Sequence, residues 1–248
     1  MAGAALTGRT AVVTGAAGTL GLVIVRALLE DGARVALVDA DALKLDSLVR
    51  FLRGTTLAVP CDVSDAGAAQ QAFLAVEKNL GAVDIVVNQA SVYSADRIEA
   101  AGEETWRRVF ATNVDGAAHW CRMAIPGMKQ RGFGRILNMG CLGTPVDALP
   151  PGPALEAARG ALERLTRTLA HEVAAFGITV NALAAAAIAT ASFEQLNEAQ
   201  RRQLLTRVPA GRACEPHEFA HAVRFFLAPE AGFITGQVLA IDGGWQRP

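Results

Sequence analysis

Residues 14–21, Thr-Gly-Ala-Ala-Gly-Thr-Leu-Gly, follow a short apolar run and open a stretch of helical length. Gly15, Gly18 and Gly21 let the backbone turn tightly there and approach a pyrophosphate, whose charge is favoured at a helix N-terminus. The second apolar run ends at Asp39, 18 residues beyond Gly21. A carboxylate in that place accepts hydrogen bonds from ribose hydroxyls and repels a 2′-phosphate, which points to NAD rather than NADP. A glycine-rich turn with no ligand is the plainer reading of the same residues.

Side chains able to move a proton or attack a carbonyl are scarce. The chain has one Tyr, Tyr93, and three Lys, Lys44, Lys78 and Lys129; the other 20 basic residues are Arg. Tyr93 comes just after the fourth apolar run and could donate a proton or simply wall a pocket. Cys141, near the end of the fifth run, could be a thiol nucleophile, but no His partner is evident, and lone cysteines usually pack. Arg159 could hold an anion, or pair at helical spacing with Glu156 or Glu163, a contact worth roughly 0.2–0.5 kcal/mol. His119, His171, His217 and His221 show no ligand-like spacing and read as surface or satisfied core residues. Cys61, Cys121, Cys141 and Cys214 include no C-x-x-C pair, so neither a zinc site nor a disulfide framework is expected.

These residues must be held by elements that the hydrophobic pattern makes visible. Runs at 10–14, 34–38, 57–60, 84–87, 135–138, 178–183 and 238–241 read as strands. All are apolar on both faces, as a parallel sheet covered by helices requires. Stretches of helical length at 20–31, 68–80, 103–131 and 154–176 lie between them, each followed directly by Gly. In the last of these, Leu155, Ala158, Leu162, Leu165, Leu169 and Val173 form one stripe. The alternation predicts the α/β class, with a single doubly wound, Rossmann-like domain over residues 1–248. A formal charge of −1 argues against a dedicated nucleic-acid or anionic-membrane binder. The absence of a leader-like N-terminus and of a long apolar run leads to the expectation of a cytoplasmic protein with no membrane span.

Several of these features together resemble the short-chain dehydrogenase/reductase family, almost end to end. Thr14, Gly15 and Gly21 match its glycine motif, and Asp62-Val63 its acidic–apolar pair that holds adenine. Asn88-Gln89-Ala90-Ser91 stands for its Asn-Asn-Ala-Gly turn, Asn113 for its helix Asn, and Ile-Thr-Gly-Gln-Val-Leu-Ala-Ile-Asp-Gly-Gly-Trp at 234–245 for its last strand. The departures lie at the chemistry. The middle glycine of the motif falls on Thr19, which puts a side chain where backbone should approach phosphate. The family exchanges a proton through a Tyr and a Lys four residues later; the resemblance aligns these with Leu155 and Arg159. Its Ser falls on Cys141, or on Leu142 if the loop carries no insertion, and its Pro-Gly on Ala185-Ala186. Of the four-residue catalytic set only Asn113 remains.

The resemblance implies a fold and assembly surfaces without the family's acid–base unit, which leaves NAD binding itself in question. Family members associate through the two long helices, here near 103–131 and 154–176, and through the last strand. The expectation is an inactive subunit joined to an active paralogue in a heterotetrameric NAD-dependent alcohol dehydrogenase, with a hydroxy substrate of the acyl-CoA type. Self-association is the alternative assembly. The alternative functions are non-redox isomerase, lyase or cyclase chemistry, and an NAD-binding sensor that does not turn the cofactor over.

Overall fold

A computed structural model describes residues 5–141 and 152–245. Strands and helices alternate: β1 (Thr10–Thr14), α1 (Thr19–Glu30), β2 (Arg34–Asp39), α2 (Ala42–Phe51), β3 (Thr56–Pro60), α3 (Ala66–Leu80) and β4 (Ile85–Asn88). The second half runs α4 (Glu103–Phe110), a π-helical turn (Ala111–Asp115), α5 (Gly116–Arg131), β5 (Gly134–Cys141), α6 (Pro153–Val173) and β6 (Ile178–Ala185). It ends with α7 (Ala191–Glu194), α8 (Glu198–Leu205), α9 (Pro216–Leu227) and β7 (Val238–Ile241).

All seven strands form one parallel sheet in the order β3-β2-β1-β4-β5-β6-β7. The strand order reverses between β1 and β4, so a crevice opens there at the carboxyl ends, the usual binding place of such sheets. Period-two alternation sends neighbouring residues to opposite layers. Val12 faces the α3, α5 and α6 side with Trp120 and Met128, whereas Val13 faces the α1 and α9 side with Ile24, Leu28 and Phe219. Burial on both faces explains why the strands read as unbroken apolar runs.

Three expectations need correction, and two helices lie where the sequence reading placed no element. The stretch 103–131 is not one regular α-helix, because a π turn interrupts it at Ala111–Asp115. In α6 the buried row passes through Leu162, Thr166 and Ala170, while Leu165 and Leu169 at its border are half-buried. β7 is half-exposed, with Leu239 41% exposed, because it is the sheet's edge. The polar-looking segments that became α2 and α9 are helices: Asp41 caps α2, and Glu215 and Glu218 form a reciprocal capping box on α9.

A buried chain of side-chain hydrogen bonds fixes α6 against the sheet. Asn88 Nδ2 donates to Asn138 Oδ1 (2.8 Å), Asn138 Nδ2 donates to Thr166 Oγ1 (2.8 Å), and Thr166 Oγ1 donates to the Leu162 carbonyl (2.8 Å). Asn138 and Thr166 are both fully buried. Replacing Asn138 by an isosteric apolar residue strands the Asn88 amide in a dry interior. Asn138→Leu is therefore expected to lower unfolding stability by about 2–4 kcal/mol, read as a fall in the urea midpoint with an unchanged m-value.

Candidate functional site

The crevice begins at the β1–α1 turn. Gly15 has φ +65°, and a Cβ there would come within 2.8 Å of Ala90 Cα. A Cβ at Gly21 would run into the Gly15 carbonyl oxygen. Both glycines are thus demanded by the packing of the turn itself. Thr14 Oγ1 completes the seam by accepting N–H bonds from Gln89 (3.0 Å) and Ala90 (3.1 Å). Gly18 is the N-cap of α1 and Thr19 its first residue, and both are exposed at the helix mouth. Asp39 stands at the end of β2 with Oδ2 accepting from Ala17 N (3.0 Å) and Oδ1 from Asp41 N (3.1 Å). Each oxygen keeps lone-pair capacity for a further donor such as a ribose hydroxyl.

Asp62 and Val63 follow β3. Asp62 is exposed and its Oδ1 accepts from Ser64 N (2.9 Å) and Ser64 Oγ (2.7 Å). Val63 is buried against Gly116, where a Cβ would come within 2.8 Å of Val63 Cγ2. Asn88, at the end of β4, spends its amide nitrogen on Asn138 and leaves Oδ1 buried with no partner among the described residues.

The π turn brings Asn113 inward. Its Oδ1 accepts from Val92 N (2.7 Å) and its Nδ2 donates to Val92 O (3.0 Å), a two-point clamp on the loop after β4. Both polar ends of this amide are therefore engaged in holding backbone. Leu155 lies opposite, 2% exposed, in a cluster with Val109, Ala154 and Ala158. Tyr93, Trp106 and Phe110 pack onto that cluster, so Tyr93 stands in a packing role rather than in the cavity wall. Ala185 and Ala186 are each 2% exposed.

Asn88, Ser91, Asn113, Met139, Leu155 and Arg159 line a common cavity with Leu162, which the sequence placed only in the α6 stripe, and with Thr112, which it did not single out. Its volume of about 20 Å³ leaves room for a single water. Arg159 Nη1 pairs with Glu156 Oε1 at 2.6 Å, and its side chain is only 11% exposed. The structure thus brings Asn88, Asn113, Leu155 and Arg159 together; Asp39, Asp62, Gly18 and Gly21 do not reach that cavity. The side chain of Cys141 and all of Leu142 lie outside the described residues.

Chemically, the crevice offers acceptors and backbone amides at its outer end. Its inner end offers a guanidinium, carboxamides and methyl groups. None of the described residues at that inner end is a proton donor placed like a Tyr beside a Lys. Neither Cys61 nor Cys121 supplies a nucleophile: burial pushes Cys121 up to about 12 and Cys61 up to about 11. No group of three or more His, Cys, Asp or Glu among the described residues is arranged to hold a metal. No described helix is long and apolar enough to cross a membrane.

A family model described as enoyl-(acyl carrier protein) reductase matches residues 15–246. The chain is 38% identical to a galactitol 2-dehydrogenase (L-tagatose-forming) of Cereibacter sphaeroides, over 97% of this chain and 96% of the relative. It is 32% identical to a Xanthobacter autotrophicus protein named inactive 2-(S)-hydroxypropyl-CoM dehydrogenase 2, over 88% of this chain and 97% of that one. Among solved structures it is similar to an Agrobacterium tumefaciens protein provisionally described as a gluconate dehydrogenase, with a TM-score of 0.88 and 29% identity over 97% and 96% of the two chains.

Two expectations follow from this geometry. Because the inner cavity is water-sized, NAD and ADP-ribose should bind equally well in calorimetric titrations, within about threefold; a tenfold preference for NAD would show that the nicotinamide is held. Because burial keeps Cys61 and Cys121 as neutral thiols, neither should react with a disulfide reagent at pH 8 in the folded chain. Peptide mapping should find both labelled only after unfolding.

Proposed function

This chain belongs to the short-chain dehydrogenase/reductase family, and we propose that within it the chain is a catalytically inactive subunit that assembles with an active paralogue. The assembly would be a heterotetrameric NAD-dependent alcohol dehydrogenase acting on a hydroxy substrate of the acyl-CoA type. The observation that carries this reading is Leu155. It occupies the position of the family's proton-donating Tyr and is locked, 2% exposed, into an apolar cluster. A positioned acid–base group is worth about 10²–10⁴ in rate, and the members of one unit do not lose activity additively. With Leu155 and Arg159 in place of the pair, the described residues of the inner cleft offer no Tyr or Lys to exchange a proton with a carbonyl oxygen.

The residues fit one half of a dinucleotide. Asp39 and the Gly15–Gly21 turn suit a ribose and a pyrophosphate, while the inner end at Leu155 and Arg159 offers a guanidinium and an apolar side chain. No hydride step is assigned to this chain. A relative at 34% identity is named 2-(S)-hydroxypropyl-CoM dehydrogenase 3, from the same organism as the relative named inactive. Chains named for an activity and a chain named as lacking it therefore stand at similar distances, which supports the reading. Exposed apolar side chains at the surfaces expected to pair support it too: Leu239 on β7 is 41% exposed and Phe233, just before it, is fully exposed.

A second reading, a sensor that binds dinucleotide without turning it over, draws on Asp39 and its intact surroundings at the ribose end. A repurposed catalyst draws on no observation of its own among the described residues.

Expression alone and together with the paralogue encoded beside it tests the assembly. Light scattering should find a mixed tetramer, and NADH-dependent ketone reduction should require the paralogue. Turnover by this chain alone should fall at least about 100-fold below that of the mixture. A stable homotetramer that ignores the paralogue would overturn the proposal.

A further inference from the structure

Helix α2 leaves an apolar side uncovered. Leu45 is the residue it buries, in the layer shared with α1 and α9. Leu43 and Phe51 are 81% and 84% exposed. Ser47 lies midway between them and Arg50 beside Phe51, so all four share one face of the helix. Large apolar side chains grouped on an exposed face mark a place of interaction more than singly scattered ones do.

A groove opens where that face ends. It is lined by Arg26, Leu29 and Glu30 of α1 and by Phe51, Leu52 and Arg53 at the end of α2. Its volume of about 390 Å³ is open to solvent and has room for an inserted side chain.

The charges around the groove do not balance within the chain. Glu30 is taken by Arg224, which also holds Asp31 at 3.2 Å, and Lys44 is taken by Asp41 at 3.2 Å. Arg26, Arg50 and Arg53 are exposed and form no ion pair or hydrogen bond among the described residues. Asp46, one turn before Arg50, is likewise exposed and offsets one of the three. An excess of positive charge is left beside an uncovered aromatic ring. Arginine and aromatic side chains together supply most of the binding energy at protein contacts.

The groove also stays clear of the surfaces expected to pair. Helix α2 packs on β2 and β3, at the sheet edge opposite β7, and on the other layer from α5 and α6. We propose that it is a docking site for an acidic segment of a partner protein. The segment seats an apolar side chain against Phe51 and Leu29 and sets its flanking carboxylates on Arg26 and Arg53. A lipid surface has no side chain to insert into a groove, and the few net charges here are small for a polyanion.

Calorimetric titration of the full chain with the blocked peptide Glu-Asp-Glu-Leu-Phe-Asp-Glu tests it. One comparison peptide carries Lys for every acid, and another carries Ala for Leu and Phe. The acidic peptide should bind saturably at one site, with a dissociation constant of about 100 μM. The ¹⁵Nε resonances of Arg26 and Arg53, identified by their loss in Arg26→Gln and Arg53→Gln, should shift along the same isotherm. Phe51→Ala should weaken binding at least about tenfold, and Arg26→Glu with Arg53→Glu should abolish it. All three side chains are exposed, so the variants keep the fold. Raising salt from about 50 to about 500 mM should weaken binding several-fold.

Absence of saturable binding would overturn the proposal, as would equal binding of either comparison peptide or undiminished binding by Phe51→Ala. Tighter binding to phosphatidylserine vesicles than to the peptide would assign the face to a membrane instead. Loss of the chain's own association in Phe51→Ala, read by light scattering, would assign it to a second copy. Dehydrogenase activity is not read out in these titrations, so their outcome is independent of the mixed tetramer.

Discussion

Asn138 is the hinge on which the centre of the molecule depends. Its carboxamide sits at full burial on β5, accepting from Asn88 of β4 and donating to Thr166 of α6. In a sheet covered on both sides there is no water to replace these bonds, so the three elements hold one relative position. That position sets where Arg159 and Leu155, about two and about three turns earlier on α6, meet Asn113 of the π turn. The Asn113 clamp on Val92 fixes the other side of the cleft in the same way. The site is thus a by-product of polar groups whose first task is to satisfy one another inside an apolar layer.

This explains why residues of the family's motifs can persist on structural grounds alone. Gly15 and Gly21 persist because side chains there would strike Ala90 and the Gly15 carbonyl. Thr14 persists with its two backbone donors, and Asn113 with Val92. Loss of any of them costs the fold whether or not a cofactor ever binds. Tyr and Lys at the positions of Leu155 and Arg159 carry no such obligation, because an apolar side chain packs into the same cluster and an Arg pairs with Glu156 at the helix surface. Motif residues with structural duties are therefore weak witnesses to activity. The informative positions are those with chemical duties alone.

The same division governs what the sequence could show. The strands were legible because both faces are buried, which leaves no polar residue to blur them. The helices at 68–80 and 154–176 were legible from the Gly81 and Gly177 stops, where φ is +87° and +70°. Helix α2 was not, because it buries Leu45 alone and leaves Leu43 and Phe51 exposed. Helix α9 carried a signal that could have been found: Glu215 and Glu218 at capping-box spacing, followed by Phe219, Val223 and Phe226 on one face. The π turn could not be read, since it is tied to a contact between Asn113 and Val92, 21 residues apart. At the site, the counts of Tyr and Lys revealed what is missing. The burial of Arg159 stayed hidden, because it is decided by the Glu156 pairing and by the packing around it, and residue type does not encode either.

Packing also holds Leu155 and Arg159 in place. Leu155 fills a space bounded by Val109, Ala154, Ala158, Tyr93, Trp106 and Phe110, with Trp106 and Phe110 stacked at a centroid distance of 5.4 Å. A Tyr in that space adds an aromatic ring and a hydroxyl to a filled cluster, and overpacking of this kind costs about 1–3 kcal/mol. Lys at 159 would give up a buried, paired fork for a point charge with a strong demand for hydration. Ala185 and Ala186, both buried, add methyl groups or backbone restriction different from a Pro-Gly turn. Each of these substitutions is opposed by a different neighbour, so the present residues at the three positions are held independently of one another.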